Sequence, residues 1–206
     1  MEVNEKFGKL PDLETIQKTK SALEKNGITA FIVETGGEAK KKVLEIIPEG
    51  AEVMTMTSMS HQAISSAKEM NESGRFNSVR NKLNQMDMKT QWAEMRRLGA
   101  AQEWAVGSVH AVTEEGQLMI ASRSGSQLPA YAHGAAHVIL VIGAQKIVKN
   151  IEEGFKRIYE YSFPLEDERA RKAYGTGSGV NKILIINKEA TPGRLFAILV
   201  KEKLGF

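Results

Sequence analysis

Apolar residues in the first half of the chain switch repeatedly between helical and strand-like spacing. Leu13, Ile16 and Leu23 recur at intervals typical of one helix face, and Gly27 ends that pattern. Apolar, β-branched runs then alternate with amphipathic stretches. Strands are predicted at 28–33 and 51–56, and helices at 11–25, 38–47 and 58–72. Alternating strands and helices joined by short turns predict a parallel sheet with crossover helices.

The second half contains the most apolar stretch of the chain. The run His137–Gly143 is almost continuously apolar, which is typical of a strand buried on both faces. Further strands are predicted at 105–109 and 117–121, around the turn Glu114-Glu115-Gly116, and at 182–186 and 195–200, around the turn at 190–193. Helices are expected at about 87–98, 128–133, 151–161 and 164–174.

These patterns predict one α/β domain over residues 1–206, with an open, mainly parallel sheet and flanking helices. The segment at about 75–102 is polar and Met-rich, and we interpret it as a helical insertion. Its Met residues and Trp92 favour a core or subunit contact over a cofactor site, and a subunit contact would be compatible with a homo-oligomer.

Composition narrows the class of protein. Of 206 residues, 42% are hydrophobic and 26% charged, as in ordinary globular domains. The sequence shows neither a long apolar run nor a basic leader with an apolar core, so we expect a cytoplasmic protein without a membrane partner. The net charge of +3 is dispersed, which gives no indication of nucleic-acid binding. The absence of cysteine excludes disulfides and thiolate-held zinc or iron–sulfur groups on this chain.

Two loops rich in hydroxyl groups are candidate anion-binding elements. Ser58 and Ser60 follow a predicted strand and begin a helix, where backbone N–H groups and hydroxyls bind carboxylate or phosphate. The same residues are also explained by simple helix capping. The second loop also precedes a short helix and contributes Ser124, Gly125, Ser126 and Gln127. The glycine-rich segment 175–179 precedes a strand and is either a flexible turn or a loop that closes over a ligand.

Candidate catalytic groups lie near the predicted turn at Glu114. Glu114 is a nucleophile or general base if it is buried in a cleft, and a turn charge if it is not. His110 is the one histidine that we consider a catalytic candidate, and no histidine spacing typical of a metal site is present. Lys146, with Gln145 beside it, follows the predicted central strand. It either holds an anionic ligand at the end of that strand or is a solvated lysine on a turn. Glu166 and Arg169 either reach the same cleft or, as we favour, are surface helix charges.

Four segments together resemble the LUD-domain (lactate utilisation) family. They are Leu23-Glu24-Lys25-Asn26-Gly27, Thr57-Ser58-Met59-Ser60, Ala111-Val112-Thr113-Glu114-Glu115-Gly116-Gln117-Leu118 and Val141-Ile142-Gly143-Ala144-Gln145-Lys146-Ile147-Val148, with Lys203-Leu204-Gly205-Phe206 at the end. The resemblance implies the open α/β fold of sugar-phosphate isomerases, coenzyme A transferases and formyltetrahydrofolate cyclo-ligases (the NagB/RpiA-like fold). It marks Ser58, Glu114, Gly116 and Lys146 as the family's positions of interest.

The same resemblance implies a function. Family members are subunits of a system that oxidises L-lactate to pyruvate alongside iron–sulfur partner proteins. The segment 174–182, where many members carry cysteine, reads Tyr-Gly-Thr-Gly-Ser-Gly-Val-Asn-Lys here. We therefore expect a subunit or ligand-binding component that holds a small anionic metabolite, with no cofactor identified. The alternative is a self-contained transferase, isomerase or ligase that acts on a phosphorylated or coenzyme A-linked metabolite.

Overall fold

A six-stranded parallel sheet forms the centre of the molecule in the computed structural model, which describes residues 2–206. The strands in spatial order are β1 (Thr29–Val33), β10 (Leu195–Val200), β7 (His137–Gly143), β4 (Trp104–Gly107), β2 (Glu52–Thr55) and β3 (Asn77–Ser78). Each neighbouring pair runs parallel. The predicted α/β class with an open, mainly parallel sheet is confirmed.

The core lies on both faces of this sheet because alternate residues of a strand point to opposite sides. In β7, Val138, Leu140 and Ile142 pack on one face, while Ile139 and Val141 pack on the other. The predicted bounds of β7 and β10 match the structure.

Helices connect the strands on both sides. They are α1 (Leu13–Lys25), α2 (Gly36–Ile46), α3 (Met59–Ala63), α4 (Ser66–Glu72), α5 (Val79–Asn84), α6 (Trp92–Ala100), α7 (Ile151–Arg157) and α8 (Phe163–Tyr174). The predicted single helix at 58–72 is two helices, because Ser65 adopts a left-handed conformation with φ 52° between α3 and α4. A π-helical turn at Ile158–Ser162 joins α7 directly to α8, which were predicted as separate helices.

A second, four-stranded sheet was not predicted. It comprises β8 (Ile147–Val148), β5 (Ala111–Thr113), β6 (Leu118–Ser122) and β9 (Lys182–Ile186) in that spatial order. The expectation that 105–109 and 117–121 flank one turn is wrong, because β6 pairs with the three-residue strand β5 while β4 stays in the main sheet. The two closing strands β9 and β10 likewise belong to different sheets.

The segment 75–102 combines main-sheet and peripheral structure. It contributes β3, which pairs with β2, followed by α5 and α6. Helix α6 has no buried residue, and the side chains of Met88 and Trp92 are 64% and 54% exposed. These two residues are therefore outside the core of this chain, and a subunit contact there stays a prediction. Among residues 2–206, no helix is long and apolar enough to cross a bilayer.

Candidate functional site

A cavity of about 220 Å³ opens at the carboxyl ends of three neighbouring strands. Ser58 follows β2, Ser108 follows β4 and Lys146 follows β7, and all three residues line the cavity. Ligands of open α/β sheets bind in this position, because the loops after parallel strands converge at one edge.

The opposite wall comes from the second sheet and from α8. Ser122 ends β6 and accepts a hydrogen bond from the Gly125 N–H at 2.8 Å, while Gln127 accepts from the Ser122 hydroxyl at 2.9 Å. On α8, the Arg169 guanidinium donates to both carboxylate oxygens of Glu166, each over 2.7 Å. Both α8 residues line the cavity, so the interpretation that we favoured for them, surface helix charges, is incomplete.

Lys146 is almost completely buried, at 2% exposure. Its Nζ donates to Ser60 Oγ at 3.0 Å, Ser108 Oγ at 3.1 Å and the Val109 carbonyl at 3.0 Å. An ammonium has three N–H donors, so these protein acceptors already use all of them. Burial, with a smaller contribution from the Arg157 charge, holds the pKa of Lys146 well below its usual value.

Arg157, the last residue of α7, is buried one layer behind the cavity wall. Its Nη1 donates to the His110 carbonyl and to Ser162 Oγ, the latter at 2.9 Å, and its Nε donates to the Gln145 carbonyl at 3.3 Å. Its Nη2 is buried without a partner among the described residues. Burial lowers the pKa of Arg157 to about 10, so the guanidinium is still charged at neutral pH.

His110 lines the cavity as a neutral imidazole. The Ala121 N–H donates to its Nδ1 at 3.1 Å, and because an N–H only donates, Nδ1 must be unprotonated and Nε2 must carry the proton. Within residues 2–206, Nε2 has no hydrogen-bond partner. Unlike Arg157 Nη2, it is not completely buried. Burial, together with the charges of Lys146 and Arg157, lowers the pKa of His110 to about 3. His110 Nε2–H is therefore available to donate to a ligand in the cavity.

Five of the residues selected from the sequence line the cavity: Ser58, His110, Ser124, Gln127 and Lys146. Ser60 and Gln145 lie directly behind it, where the Ser60 hydroxyl and Gln145 Nε2 both donate to the Leu204 carbonyl. Gly125 and Ser126 shape the loop beside Ser124. Ser178 and Gly179, from the glycine-rich segment, also line the cavity.

Glu114 and Gly116 do not line the cavity. Glu114 forms an ion pair with Lys18 of α1 at 2.7 Å, because the turn that follows β5 lies against α1. Gly116 lies against the backbone of α1 at Ala22 and Leu23. The geometry therefore gives Glu114 no contact with the cavity, and we do not propose it as nucleophile or base.

The substitution Glu114→Gln should leave both folding and cavity binding nearly unchanged. Exposed ion pairs such as Lys18–Glu114 contribute little stability, and the carboxylate does not face the cavity. Urea unfolding and calorimetric ligand titration of the variant measure both quantities. Lys18→Met is the matched control because it removes the same ion pair from the other side. Loss of ligand binding in Glu114→Gln alone would contradict this reading.

Sequence reasoning missed Ser108, Ser162 and Arg157. Ser108 has a usable signal, because it is a hydroxyl residue at the predicted carboxyl end of a strand. Arg157 has none, since a basic residue in an amphipathic helix usually faces solvent. Within the part of the chain that the structure describes, no group of three or more metal-ligating side chains comes together.

The fold and the cavity define a class: an α/β protein with a small, donor-rich ligand site at the carboxyl edge of a parallel sheet. The chain belongs to the LUD domain family, whose model matches residues 16–200. It is similar in fold to a crystal structure of a DUF162 family protein from Deinococcus radiodurans, with a TM-score of 0.57 at 12% identity, over 93% of this chain and 99% of that one. No curated protein matches the sequence.

Proposed function

We propose that this protein is a ligand-binding component of a lactate utilisation system and that its cavity holds a small anionic metabolite. The observation that carries this proposal is the buried Arg157 guanidinium, which lies one layer behind the cavity wall and has no carboxylate partner among the described residues. A buried charge without a counterion is costly, so the site favours an anion that supplies the missing charge.

The charges along the cavity wall support the same conclusion. Glu166 is the one side-chain carboxylate among the described lining residues, and Arg169 already neutralises it. Arg123 lines the mouth of the cavity and forms no ion pair within residues 2–206. The side chains of the site thus carry a net positive charge that is partly shielded from water, where electrostatic attraction is stronger than in bulk solvent.

The size and the donors of the cavity favour a short carboxylic acid. A volume of about 220 Å³ is below the roughly 300–1,000 Å³ of pockets for drug-sized ligands. Among the described residues, His110 Nε2–H and the hydroxyl of Ser58, which forms no capping bond, have no partner and can donate to carboxylate, carbonyl or hydroxyl oxygens. A 2-hydroxy or 2-oxo acid presents these groups within a few bonds of one another.

Electron transfer in such a system would need iron–sulfur partner proteins. The chain has no cysteine, so it supplies no thiolates for a cluster. In this proposal the protein binds and orients the acid, and the partner proteins accept the electrons.

Reversing the charge at the cavity mouth should weaken anion binding. We expect Arg123→Glu to raise the Kd for L-lactate or pyruvate about 5- to 50-fold at low salt, because an attractive charge becomes a repulsive one. Arg123 is exposed, so the variant should fold normally. The loss should shrink as salt is added, since exposed charges are screened. Isothermal titration calorimetry at two salt concentrations measures both effects.

Arg96→Glu is the matched control, because Arg96 is also exposed but lies on α6 and does not line the cavity. It changes the net charge equally and should leave the Kd almost unchanged. If neither acid binds the wild-type protein, the proposed function fails. If both variants weaken binding equally, the effect reflects the net charge of the protein rather than the cavity.

A further inference from the structure

We propose that Ser108 is a nucleophile for short-chain acyl thioesters or esters, with Lys146 as its proton acceptor and Ser60 as a bridging hydroxyl. The three polar atoms form a triangle: Nζ lies 3.0 Å from Ser60 Oγ and 3.1 Å from Ser108 Oγ, and the two oxygens are 3.3 Å apart. A hydroxyl within hydrogen-bond reach of a base is the geometric signature of an activated nucleophile. Serine–lysine pairs are a known variant of this arrangement.

Ser108 is the member of this triangle that a substrate can reach. Ser108 and Lys146 both line the cavity, whereas Ser60 is fully buried behind them. Several other serines line the cavity, but in the described chain Ser108 is the only lining serine whose hydroxyl contacts an amine.

The hydrogen-bond network around Lys146 is satisfied in both protonation states. The charged amine donates to Ser60, Ser108 and the Val109 carbonyl. In the neutral amine, the Ser60 hydroxyl turns from the Leu204 carbonyl to the nitrogen lone pair. That carbonyl keeps its second donor, Gln145 Nε2, at 3.0 Å. The amine therefore takes up and releases a proton without leaving a buried group unpaired, as a base must.

The groups around Nζ favour its neutral form before reaction. Burial and the charge of Arg157 lower the pKa of Lys146, and no carboxylate contacts the amine among the described residues. The histidines near it, His61 and His110, have pKa values lowered to about 4 and about 3, so both are neutral at pH 7. A neutral lysine in such surroundings serves as a general base.

The step balances within the site. At rest, the Ser108 hydroxyl donates to the Val141 carbonyl at 2.6 Å. For the reaction, the Ser60 hydroxyl turns back to the Leu204 carbonyl, and the Ser108 hydroxyl turns to donate to the lone pair of Nζ that this movement frees. Oγ then bonds to the acyl carbon, the C–S or C–O bond of the substrate breaks, and the Ser108 proton passes to Lys146. Lys146 returns that proton to the departing thiolate or alkoxide. The acyl-serine is released by water or another acceptor through the reverse proton path. His110 Nε2–H lines the same cavity and can donate to the negative oxygen of the intermediate.

Covalent labelling tests this proposal directly. The folded protein is treated with methanesulfonyl fluoride, which transfers a methanesulfonyl group to a nucleophilic hydroxyl and releases fluoride, and separately with 4-nitrophenyl acetate. Peptide mass spectrometry then locates the modified residue. We expect modification at Ser108, none in Ser108→Ala, and labelling about 10²- to 10⁴-fold slower in Lys146→Met, the range that general-base catalysis supplies.

Ser21→Ala is the control, because Ser21 is an exposed serine of α1 that does not line the cavity, and this variant should label at the wild-type rate. The labelling rate of the wild type should rise with pH through a midpoint below the ordinary lysine value of about 10.4. If Lys146→Met fails to fold, this pH dependence of the wild-type labelling rate tests the role of Lys146 as the base. Ser108 that reacts no faster than serine in the urea-unfolded chain would overturn the proposal. So would a Lys146→Met protein that folds and labels at the wild-type rate. Neither outcome depends on lactate or pyruvate binding, so the proposed function is judged separately.

Discussion

Replacing Gly116 by alanine should destabilise the protein by about 2–5 kcal/mol. Gly116 has a φ of +81°, and a Cβ there would lie 2.7 Å from both the Ala22 carbonyl carbon and the Leu23 nitrogen of α1. The left-handed conformation costs an L-residue about 1–2 kcal/mol, and overpacking adds about 1–3 kcal/mol. The contacts are backbone atoms, which cannot turn aside as a flexible side chain does. Urea unfolding followed by circular dichroism measures the change.

Gly74→Ala is the matched control for this effect. Gly74 has a similar φ of +75°, but a Cβ there would meet nothing within 4 Å. It should therefore cost only the conformational part, about 1–2 kcal/mol. Equal losses in the two variants would show that close packing on α1 is not what requires glycine at 116. The comparison matters because Gly116 belongs to the family-like segment that was expected to bind ligand.

Acidification should cost the protein about 3 kcal/mol of unfolding free energy through His61 alone. Burial lowers the pKa of His61 to about 4, whereas an unfolded histidine titrates near 6.5. Below about pH 6.5, His61 binds a proton in the unfolded chain but not in the folded protein. Stability is therefore complete above that pH and falls until about pH 4, where the folded form also protonates. His110, whose pKa is about 3, adds to the loss in the same direction.

Urea unfolding of the wild type and of His61→Gln between about pH 7 and about pH 4 tests this expectation. Glutamine has a terminal N–H that replaces the donation from His61 Nε2 to the Gly107 carbonyl, now 2.8 Å long, but it does not titrate. The variant should show a clearly shallower loss of stability through this range. Carboxylates such as Asp167, whose pKa Arg171 lowers from 3.8, act at lower pH and leave the comparison intact. Parallel curves for the two proteins would contradict the role given to His61.

Periodicity predicted the main sheet well where strands are long and buried on both faces. The runs that became β7 and β10 are apolar over six or seven residues, a length that is typical of buried strands, whereas buried helices are usually longer. It failed for β5, which has three residues and no alternation to detect. The pairing of β6 and β9 joins segments 60 or more residues apart, so no local pattern encodes it.

The candidate site also divides into residues that local sequence patterns identify and residues that only long-range contacts bring together. Ser58, His110 and Lys146 could be selected because each lies just after a predicted strand, where α/β ligand sites form. Glu114 carries the same kind of local signal, yet its ion pair with Lys18 spans 96 residues of sequence. Arg157 and Ser108 join the site through contacts with other elements, which depend on how α7 and β7 pack.

The sequence by itself determined the α/β class, the central strands and the absence of thiolate chemistry, because hydrophobic spacing and composition are local properties of the chain. Only the tertiary structure decided which hydroxyls surround Lys146, which histidine nitrogen carries its proton, and which charged groups lose their solvent. Those properties arise when residues far apart in sequence share a small volume of low dielectric, where a hydrogen bond or a missing counterion has a large energetic effect.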